Sequence, residues 1–222
     1  MYKEISKEWT VGAVREIVPR KINYVVSSKN LKRKKVLDFF IVLFALPIVL
    51  PISLITALII KIDSKGPILY KQKRVGFLGQ TFTLYKFRSM ELSSEKNGAQ
   101  FAKKNDPRVT TFGRFIRKFR IDELPQFWNV VKGDMSVIGP RPEQVSFVEN
   151  FTNEIQGYQY RHVVKPGITG LAQVHNGYAA SLNGTKRKLK LDLIYIKNFS
   201  LKLDLIIVWK TIKTILTGFG SR

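Results

Sequence analysis

The hydrophobic positions along the chain form one long, almost unbroken run and several shorter amphipathic stretches. The run, VLDFFIVLFALPIVLPISLITALII at residues 36–60, exceeds the length of about 20 apolar residues that a membrane helix needs. Pro47 and Pro51 lie near its middle, and a proline inside a helix removes one hydrogen bond and clashes with the preceding turn. This pattern predicts a membrane helix with a kink at its centre.

Basic residues flank the run on both sides. KRKK precedes it, Lys61 and Lys65 follow it, and positively charged flanks prefer the cytoplasmic side of a membrane. A helix that enters the membrane, breaks at the two prolines and returns to the same face satisfies both flanks. We therefore favour a re-entrant hairpin; a single membrane span and a buried helix of a soluble protein are the alternatives.

Shorter patterns follow the membrane run. Residues 66–90 hold brief aromatic and β-branched runs separated by glycines, which predicts a small β-hairpin, and the polar residues 91–109 predict a loop. Apolar residues at helical spacing predict two amphipathic helices, the first from Phe112, Phe115, Ile116 and Phe119, the second from Leu205, Val208, Trp209, Ile212 and Leu216. The second helix either lies on a membrane surface or packs on the core.

Directly after the first amphipathic helix, the segment IDELPQFWNVVKG carries a proline close to two acidic residues. Because proline is tolerated in the first turn of a helix, we predict a helix that begins near Asp122, with Asp122 as its cap and Pro125 in its first turn. Gly133 is the predicted stop of this helix. Such a start would hold Asp122 and Glu123 beside free backbone N–H groups, which attract anions.

Together these elements predict an α+β protein. We expect a basic N-terminal tail or surface segment at residues 1–35, a re-entrant membrane helix hairpin at 36–60, and a mostly helical cytoplasmic domain with a small β-hairpin at 61–222. Interfacial amphipathic helices complete the predicted architecture.

The charge balance narrows the range of partners. The chain carries 38 Lys and Arg against 16 Asp and Glu, which gives a formal net charge of +22. An excess this large indicates anionic partners, such as nucleic acid, anionic lipid headgroups or phosphorylated substrates. With no cysteine and two histidines in the chain, disulfides and thiolate zinc sites are excluded and histidine-rich metal sites are disfavoured.

Three polar groupings hold basic side chains, and the last two also hold carboxylates: Lys86 and Arg88 in YKFRSM, Arg117, Arg120, Asp122 and Glu123 in IRKFRIDE, and Arg141 and Glu143 in GPRPE. Arginine binds phosphate through its planar guanidinium, and the prolines around Arg141 stiffen its backbone. A phosphate-handling active site is one interpretation. A solvated helix cap and a lipid-headgroup patch are the others.

The order of the motifs along the chain is more specific than any one of them. From residue 31 to 216 the chain carries the KRKK-flanked membrane run, FTLYKFRSM, NDPRVTTFGRFIRKFRIDELPQFWNVVKGDMSVIGPRPE, KPGITGLAQV and LDLIYIKNFSLKLDL. In this arrangement it resembles the bacterial sugar transferases, and among them the small monotopic polyprenyl-phosphate phosphoglycosyl transferases.

The resemblance implies a reaction and its participants. Such enzymes transfer a sugar 1-phosphate from a UDP-sugar to undecaprenyl phosphate, release UMP and require Mg²⁺. We therefore expect a UDP-sugar, undecaprenyl phosphate and inner-membrane lipids as partners, no nucleic acid, and a location at the cytoplasmic face of the bacterial inner membrane. The resemblance does not decide whether the protein forms a homodimer.

The resemblance also implies roles for individual residues. Asp122 corresponds to the family's nucleophile, which carries the phosphosugar covalently, and Glu123 to the second carboxylate; both are expected at the Mg²⁺. Arg141 corresponds to the arginine of the Pro-Arg-Pro substrate motif, and Pro51, helped by Pro47, to the proline that kinks the membrane helix. Four further positions are expected to bind substrate: Lys86, Arg88, Arg117 and Glu143.

Two other classes of function compete with this interpretation. A noncatalytic basic module that binds membranes or nucleic acid would share the charge, but it would need neither the apolar run nor the carboxylate pair. A nucleotide-sugar hydrolase would release UMP without a lipid acceptor. The motifs identify neither the sugar nor the glycan pathway; our prediction for the region that selects the sugar is residues 175–186.

Overall fold

The computed structural model describes residues 28–63, 65–91, 106–175 and 181–217. Some parts of the predictions lie outside these ranges: residues 1–27 of the N-terminal segment, residues 92–105 of the polar loop, residues 176–180 of the proposed sugar-selecting region, and residues 64 and 218–222 of the predicted cytoplasmic domain.

The apolar run lies within one long helix, α1, which extends from Ser28 to Asp63. It begins earlier than predicted because the lysines and arginine ahead of the run have high helix propensity and continue the helix. The helix passes through Pro47 and Pro51, so the predicted break is not observed as an interruption of the helix.

Among the described residues, α1 is the one helix that is long and apolar enough to cross a membrane, with a mean hydropathy of 2.6 in its most apolar window. That test concerns length and composition. Only 11% of the window is buried, whereas the core helix of a soluble protein is mostly buried. The exposure therefore favours a membrane-associated segment over a soluble core helix.

The predicted β-hairpin is confirmed. Strand β1 (Leu69–Val75) pairs antiparallel with β2 (Thr81–Phe87), and a 3-10 turn at Phe77–Gly79 joins them. Leu84 and Phe87 of β2 are buried, so this strand faces the domain.

The first amphipathic helix, α2, spans Thr111–Lys118. The hydroxyl of Thr110 accepts a hydrogen bond from the Gly113 N–H at 2.9 Å and so caps the helix start. Ile116 is fully buried, but Phe115 is 52% exposed. The apolar face of α2 is thus only partly covered by the domain.

The prediction that Asp122 caps a helix is wrong. Arg120 adopts a left-handed conformation (φ 56°) and begins a 3-10 turn, Ile121–Glu123, that contains Asp122. The next helix, α3, spans Gln126–Lys132 and begins after Pro125. Because proline has no N–H to donate, it cannot continue the hydrogen bonds of the tight turn, and α3 starts as a separate element.

Helix α3 ends at Gly133, whose φ of 83° confirms the predicted stop. Two short strands that were not predicted follow: β3 (Ser136–Ile138) pairs parallel with β4 (Gly167–Thr169). The remaining helical segments are α4 (Val145–Glu154), a 3-10 segment (Tyr158–Val163), α5 (Leu171–His175), α6 (Leu182–Lys197) and α7 (Leu201–Thr217). The main core surrounds the parallel pair and contains Val137, Ile138, Val164, Tyr195, Ile196 and Ile207.

The second predicted amphipathic helix corresponds to α7. Its inner side is formed by Asp204 and Ile207, both fully buried, whereas Leu205, Trp209 and Leu216 are 56%, 71% and 78% exposed. Most of the apolar face predicted from the sequence therefore points away from the core, although Val208 packs against it. Of the two alternatives, this exposure favours the membrane surface.

The two ends of α1 contact the same domain. Near its start, Lys34 donates a hydrogen bond to Asp204 of α7 at 3.0 Å, and Asp38 accepts one from the Ser136 hydroxyl of β3 at 2.9 Å. Near its end, Ile60 is buried against Phe87 and Ile116. The large apolar side chains between the ends are mostly exposed, and among them are Leu43, Phe44, Leu46, Ile48, Leu50, Leu54 and Ile55. The re-entrant topology itself stays a prediction.

Candidate active site

Asp122 and Glu123 lie side by side in the 3-10 turn between α2 and α3. Their residues are only 7% and 6% exposed, so neither is a solvated helix cap. Two adjacent carboxylates at this depth need compensating charge, because burial penalises the ionised form of each.

Glu123 receives that charge from two directions. Lys86 of β2 donates to its Oε1 at 2.8 Å. Arg141, which follows β3, donates through Nη2 to Oε1 at 2.5 Å and through Nη1 to Oε2 at 3.2 Å. This bidentate contact is the favoured geometry of an arginine–carboxylate ion pair.

Asp122 is compensated less well. Its ion-pair partner is Lys86, whose Nζ lies 3.7 Å from Asp122 Oδ2, beyond hydrogen-bonding distance. Burial, and then the charge of Glu123, raise the pKa of Asp122, while Lys86, Arg117 and Arg141 oppose the rise without cancelling it.

Glu123 behaves in the opposite way. Burial alone would raise its pKa, but Arg141 and Lys86 outweigh burial and hold the pKa of Glu123 well below its usual range. The two neighbours therefore differ in chemistry: Glu123 is a firmly ionised partner of two cations, and Asp122 is the more basic carboxylate with fewer direct contacts. A basic, weakly compensated carboxylate is the better nucleophile.

The other predicted site residues divide into two groups. Arg117 acts on Asp122 through its charge, which places it near the carboxylate pair. Arg88 is buried and donates to the backbone carbonyl of Lys65 at 3.0 Å. Glu143 is buried as well, and its carboxylate accepts a hydrogen bond from Lys188 of α6. The structure thus gathers Asp122, Glu123, Lys86, Arg141 and Arg117. Arg88 bonds to the Lys65 backbone instead, whereas Glu143 pairs with Lys188 and also acts through its charge on Arg141, so it lies next to this group.

Asn129 of α3 was not predicted, although it is fully buried at the site's edge. Its amide nitrogen donates to the Thr83 carbonyl at 2.8 Å and its amide oxygen accepts from the Tyr85 N–H at 3.2 Å. These bonds fix β2 on α3 immediately before Lys86. Nothing in the local sequence marks this role of Asn129, because its two partners in β2 are 44 and 46 residues distant.

The site contains few side chains that could coordinate a metal ion. Within the described ranges no group of three or more His, Cys, Asp or Glu side chains is present. Magnesium does not need such a group, since it commonly binds one or two carboxylates together with substrate phosphates and water. Both oxygens of Glu123 already accept hydrogen bonds from cations, so Asp122 is the carboxylate that fits this role.

The chain was compared with known proteins. The family model described as bacterial sugar transferase matches residues 29–218. A UDP-N-acetylgalactosamine-undecaprenyl-phosphate N-acetylgalactosaminephosphotransferase of Aeromonas hydrophila is 57% identical over 189 residues, which cover 85% of this chain and 45% of that protein. A UDP-glucose:undecaprenyl-phosphate glucose-1-phosphate transferase of Klebsiella pneumoniae is 43% identical over 185 residues, 82% of this chain and 40% of that protein.

A shorter relative matches over most of its own length. A Bacillus subtilis (strain 168) protein, provisionally named as an undecaprenyl-phosphate N-acetylgalactosaminyl 1-phosphate transferase, is 46% identical over 161 residues, 71% of this chain and 90% of that protein. The chain spans less than half the length of the Aeromonas and Klebsiella relatives.

Proposed function

Because the chain belongs to the bacterial sugar transferase family, we propose that it transfers a sugar 1-phosphate from a UDP-sugar to undecaprenyl phosphate and releases UMP. The observation that carries this proposal is the unequal pair of buried carboxylates, with Glu123 neutralised by two cations and Asp122 left more basic. The names of the relatives, which pair UDP-sugars with undecaprenyl phosphate, support the substrate class.

The reaction proceeds in two displacements at one phosphorus atom. A carboxylate oxygen of Asp122 attacks the phosphorus that bears the sugar, the bond to the UMP oxygen breaks, and UMP leaves with that electron pair. An oxygen of undecaprenyl phosphate then attacks the same phosphorus and displaces the Asp122 carboxylate. The product is a lipid-linked sugar diphosphate, and the aspartate is regenerated.

The neighbouring cations fit the handling of a diphosphate. Arg141 is bound to Glu123, yet its side chain is 26% exposed, and we propose that it also contacts a phosphate oxygen of the substrate. Lys86 bridges the two carboxylates, and Arg117 adds positive charge near Asp122. Mg²⁺, held by Asp122 and substrate oxygens, would supply further charge neutralisation. Because both Glu123 oxygens are occupied, we assign Glu123 to the orientation of Lys86 and Arg141.

The membrane segment positions this site. We propose that α1 enters and leaves the cytoplasmic face of the inner membrane, since both ends contact the same domain and the middle is exposed. The chain has no cysteine, so Ser28→Cys and Lys65→Cys can be probed one at a time with an impermeant thiol reagent. In intact cells we expect labelling at neither position, and at both after permeabilisation. Labelling of only one position in intact cells would indicate a single span.

Intact-mass measurement of the covalent adduct tests whether Asp122 is the nucleophile. Purified protein in detergent or nanodiscs receives a UDP-sugar and Mg²⁺ without a lipid acceptor, and intact-mass analysis should detect one added sugar phosphate that is absent from Asp122→Asn. Addition of undecaprenyl phosphate should discharge the adduct and start UMP turnover. Full turnover in Asp122→Asn would exclude this nucleophile, and steady UMP release without lipid would indicate a hydrolase.

A panel of UDP-sugars identifies the donor. The most similar of the three relatives is named for N-acetylgalactosamine and another for glucose, so UDP-N-acetylgalactosamine and UDP-glucose are the first pair to compare. A noncatalytic basic module would release UMP from no member of the panel. The same assay with EDTA tests the proposed Mg²⁺ requirement.

A further inference from the structure

The backbone around Arg141 is held by an unusually complete set of hydrogen bonds. Every carbonyl in segment 140–143 accepts one from a distant part of the chain: Pro140 from the Gly167 N–H at 2.9 Å, Arg141 from Arg161 Nη2 at 2.9 Å, Pro142 from Arg74 Nη1 at 3.1 Å, and Glu143 from the Val75 N–H at 3.0 Å. A surface loop would leave such groups to water. We call these four bonds the 140–143 clamp.

Arg161 supplies one of the four clamp bonds from a deeply buried position. It lies in the 3-10 segment before β4 and is only 2% exposed. Its Nε and Nη2 donate to Asp192 at 3.0 and 2.7 Å, its Nη1 donates to the Tyr158 hydroxyl at 3.0 Å, and its Nη2 also reaches the Arg141 carbonyl. One guanidinium therefore joins α6, the 3-10 segment and the Arg141 backbone.

Helix α6 supports the clamp through two side chains on one of its faces. Asp192 and Lys188 are separated by four positions, so they lie on the same side of the helix. Asp192 binds Arg161, and Lys188 donates to the carboxylate of Glu143. Burial opposes ionisation of Glu143, but Lys188, Arg161 and Arg74 lower its pKa to about 2. Glu143 is therefore ionised at neutral pH, and its contact with Lys188 ties the segment to α6.

We propose that Arg161, held by Asp192, is a positioning residue for the reaction: it fixes the backbone of Arg141 so that the Arg141 guanidinium stays on Glu123 beside Asp122. This inference rests on the proposed function, and it assigns a role to residues outside the carboxylate site. Arg161 is too deeply buried to bind a substrate itself, so its effect passes through Arg141.

The role depends on the shape of the guanidinium as well as on its charge. Arginine presents five N–H donors in a rigid fork, whereas lysine presents one ammonium group on a flexible stem. A lysine at position 161 keeps the charge opposite Asp192 but cannot also reach the Tyr158 hydroxyl and the Arg141 carbonyl. Arg161→Lys therefore removes the clamp bond to Arg141 with little change in buried charge, and Arg74→Lys removes the neighbouring bond to Pro142.

The kinetic test measures UMP release in the presence of undecaprenyl phosphate. Because a displacement of about 1 Å in a positioned group costs about 100-fold in rate, we expect Arg161→Lys to lose about 10- to 100-fold in kcat/KM, and Arg74→Lys to lose less. In an Arg141→Ala background, Arg161→Lys should cause little further loss, because the group that it positions is absent. Equal losses in both backgrounds would overturn the proposal.

A matched control separates positioning from stability. Ile207 of α7 is fully buried in the main core. Ile207→Val leaves a small cavity there and should lower the Tm, but it should leave kcat/KM of the folded protein unchanged. If Arg161→Lys behaves in the same way as Ile207→Val, its role is structural and the proposal fails.

Amide hydrogen exchange tests the clamp without activity. The Val75 and Gly167 N–H groups donate into segment 140–143, so their exchange should accelerate in Arg161→Lys and Asp192→Asn relative to the core amide of Ile207. Unchanged exchange at both amides would refute the clamp. If Arg161→Lys does not express well, Asp192→Asn gives the same test, because the substitution is nearly isosteric. If the wild type releases no UMP from any UDP-sugar, the proposed function fails, while accelerated exchange would still support the clamp.

Discussion

Substitution of Glu123 should lower the thermal stability, whereas substitution of the adjacent Asp122 should not. Glu123→Gln removes the anion on which Lys86 and Arg141 converge and leaves two partly buried cations facing a neutral amide. Asp122→Asn removes an anion that the folded state holds with difficulty, because burial raises the pKa of Asp122. The first change should destabilise the protein, and the second should leave it unchanged or stabilise it.

The magnitude for Glu123 follows from burial. Removal of one partner from a buried ion pair costs about 3–5 kcal/mol. Here the side chains of Lys86 and Arg141 keep 17% and 26% of their exposure, so water takes up part of the uncompensated charge. We therefore expect a loss of about 2–3 kcal/mol in the free energy of unfolding. For a domain of this size that loss lowers the Tm by about 4–12 °C.

The pH dependence gives each residue a separate signature. The lowered pKa of Glu123 adds stability that is present above its unfolded value of 4.5 and is lost as the pH falls through the folded value. The raised pKa of Asp122 removes stability once the pH exceeds the unfolded value of 3.8, and the full penalty is present above the folded value. The Tm difference between wild type and either variant should therefore be largest near pH 7 and shrink in acid.

The assay is thermal unfolding of wild type and both variants in one detergent, at pH 7 and at several acidic values. A Tm of Asp122→Asn that falls as far as that of Glu123→Gln would refute the burial argument for Asp122. An unchanged Tm in Glu123→Gln would show that Lys86 and Arg141 are solvated in the folded protein, and the proposed division of roles would fail with it.

Four further substitutions test the scaffold. Gly139→Ala should abolish folded yield, because its Cβ would lie 2.4 Å from a backbone carbonyl, whereas Gly79→Ala, with a left-handed φ of 78° but open space around it, should lower the Tm only slightly. Asn129→Ala should cost about 1–3 kcal/mol in thermal unfolding and lower UMP release, because it leaves buried backbone groups of β2 unpaired. Tyr195→Phe should cost about 1–3 kcal/mol in the same unfolding assay with kcat unchanged, because Asp204 loses a buried donor far from the carboxylate pair.

The sequence predicted those parts of the fold that depend on local patterns. The hairpin follows from short strand-like runs between glycines, and the helix stop at Gly133 follows from the left-handed conformation that glycine adopts easily. The parallel pair β3–β4 was missed because each strand has three residues, too few to show an alternating pattern, and the two lie far apart in the chain. The helix cap at Asp122 was wrong because the left-handed Arg120 starts a 3-10 turn that no local pattern announces.

The candidate site was predicted in its residues but not in its pairings. Motifs identified Lys86, Glu123 and Arg141, yet only the folded chain brings these together across 37 and 18 positions. Arg88 stands two positions after Lys86, which would suggest a shared role, but it lies just beyond the end of β2 and bonds to the Lys65 carbonyl. Partners in three dimensions decide which basic residues of a motif face the reaction.

The end of the membrane helix and the carboxylate site share one apolar cluster. Ile60 of α1 packs with Phe87 and Ile116, and Ile121 and Leu124 pack against the same cluster. Each of the last four residues is a direct sequence neighbour of a site residue: Phe87 of Lys86, Ile116 of Arg117, Ile121 of Asp122, and Leu124 of Glu123. The cluster therefore joins the end of α1 directly to the segments that carry the site. If α1 sits in the bilayer as we propose, the depth of Asp122 relative to the lipid phosphate is set by this packing, and the anchor acts as part of the active site's geometry.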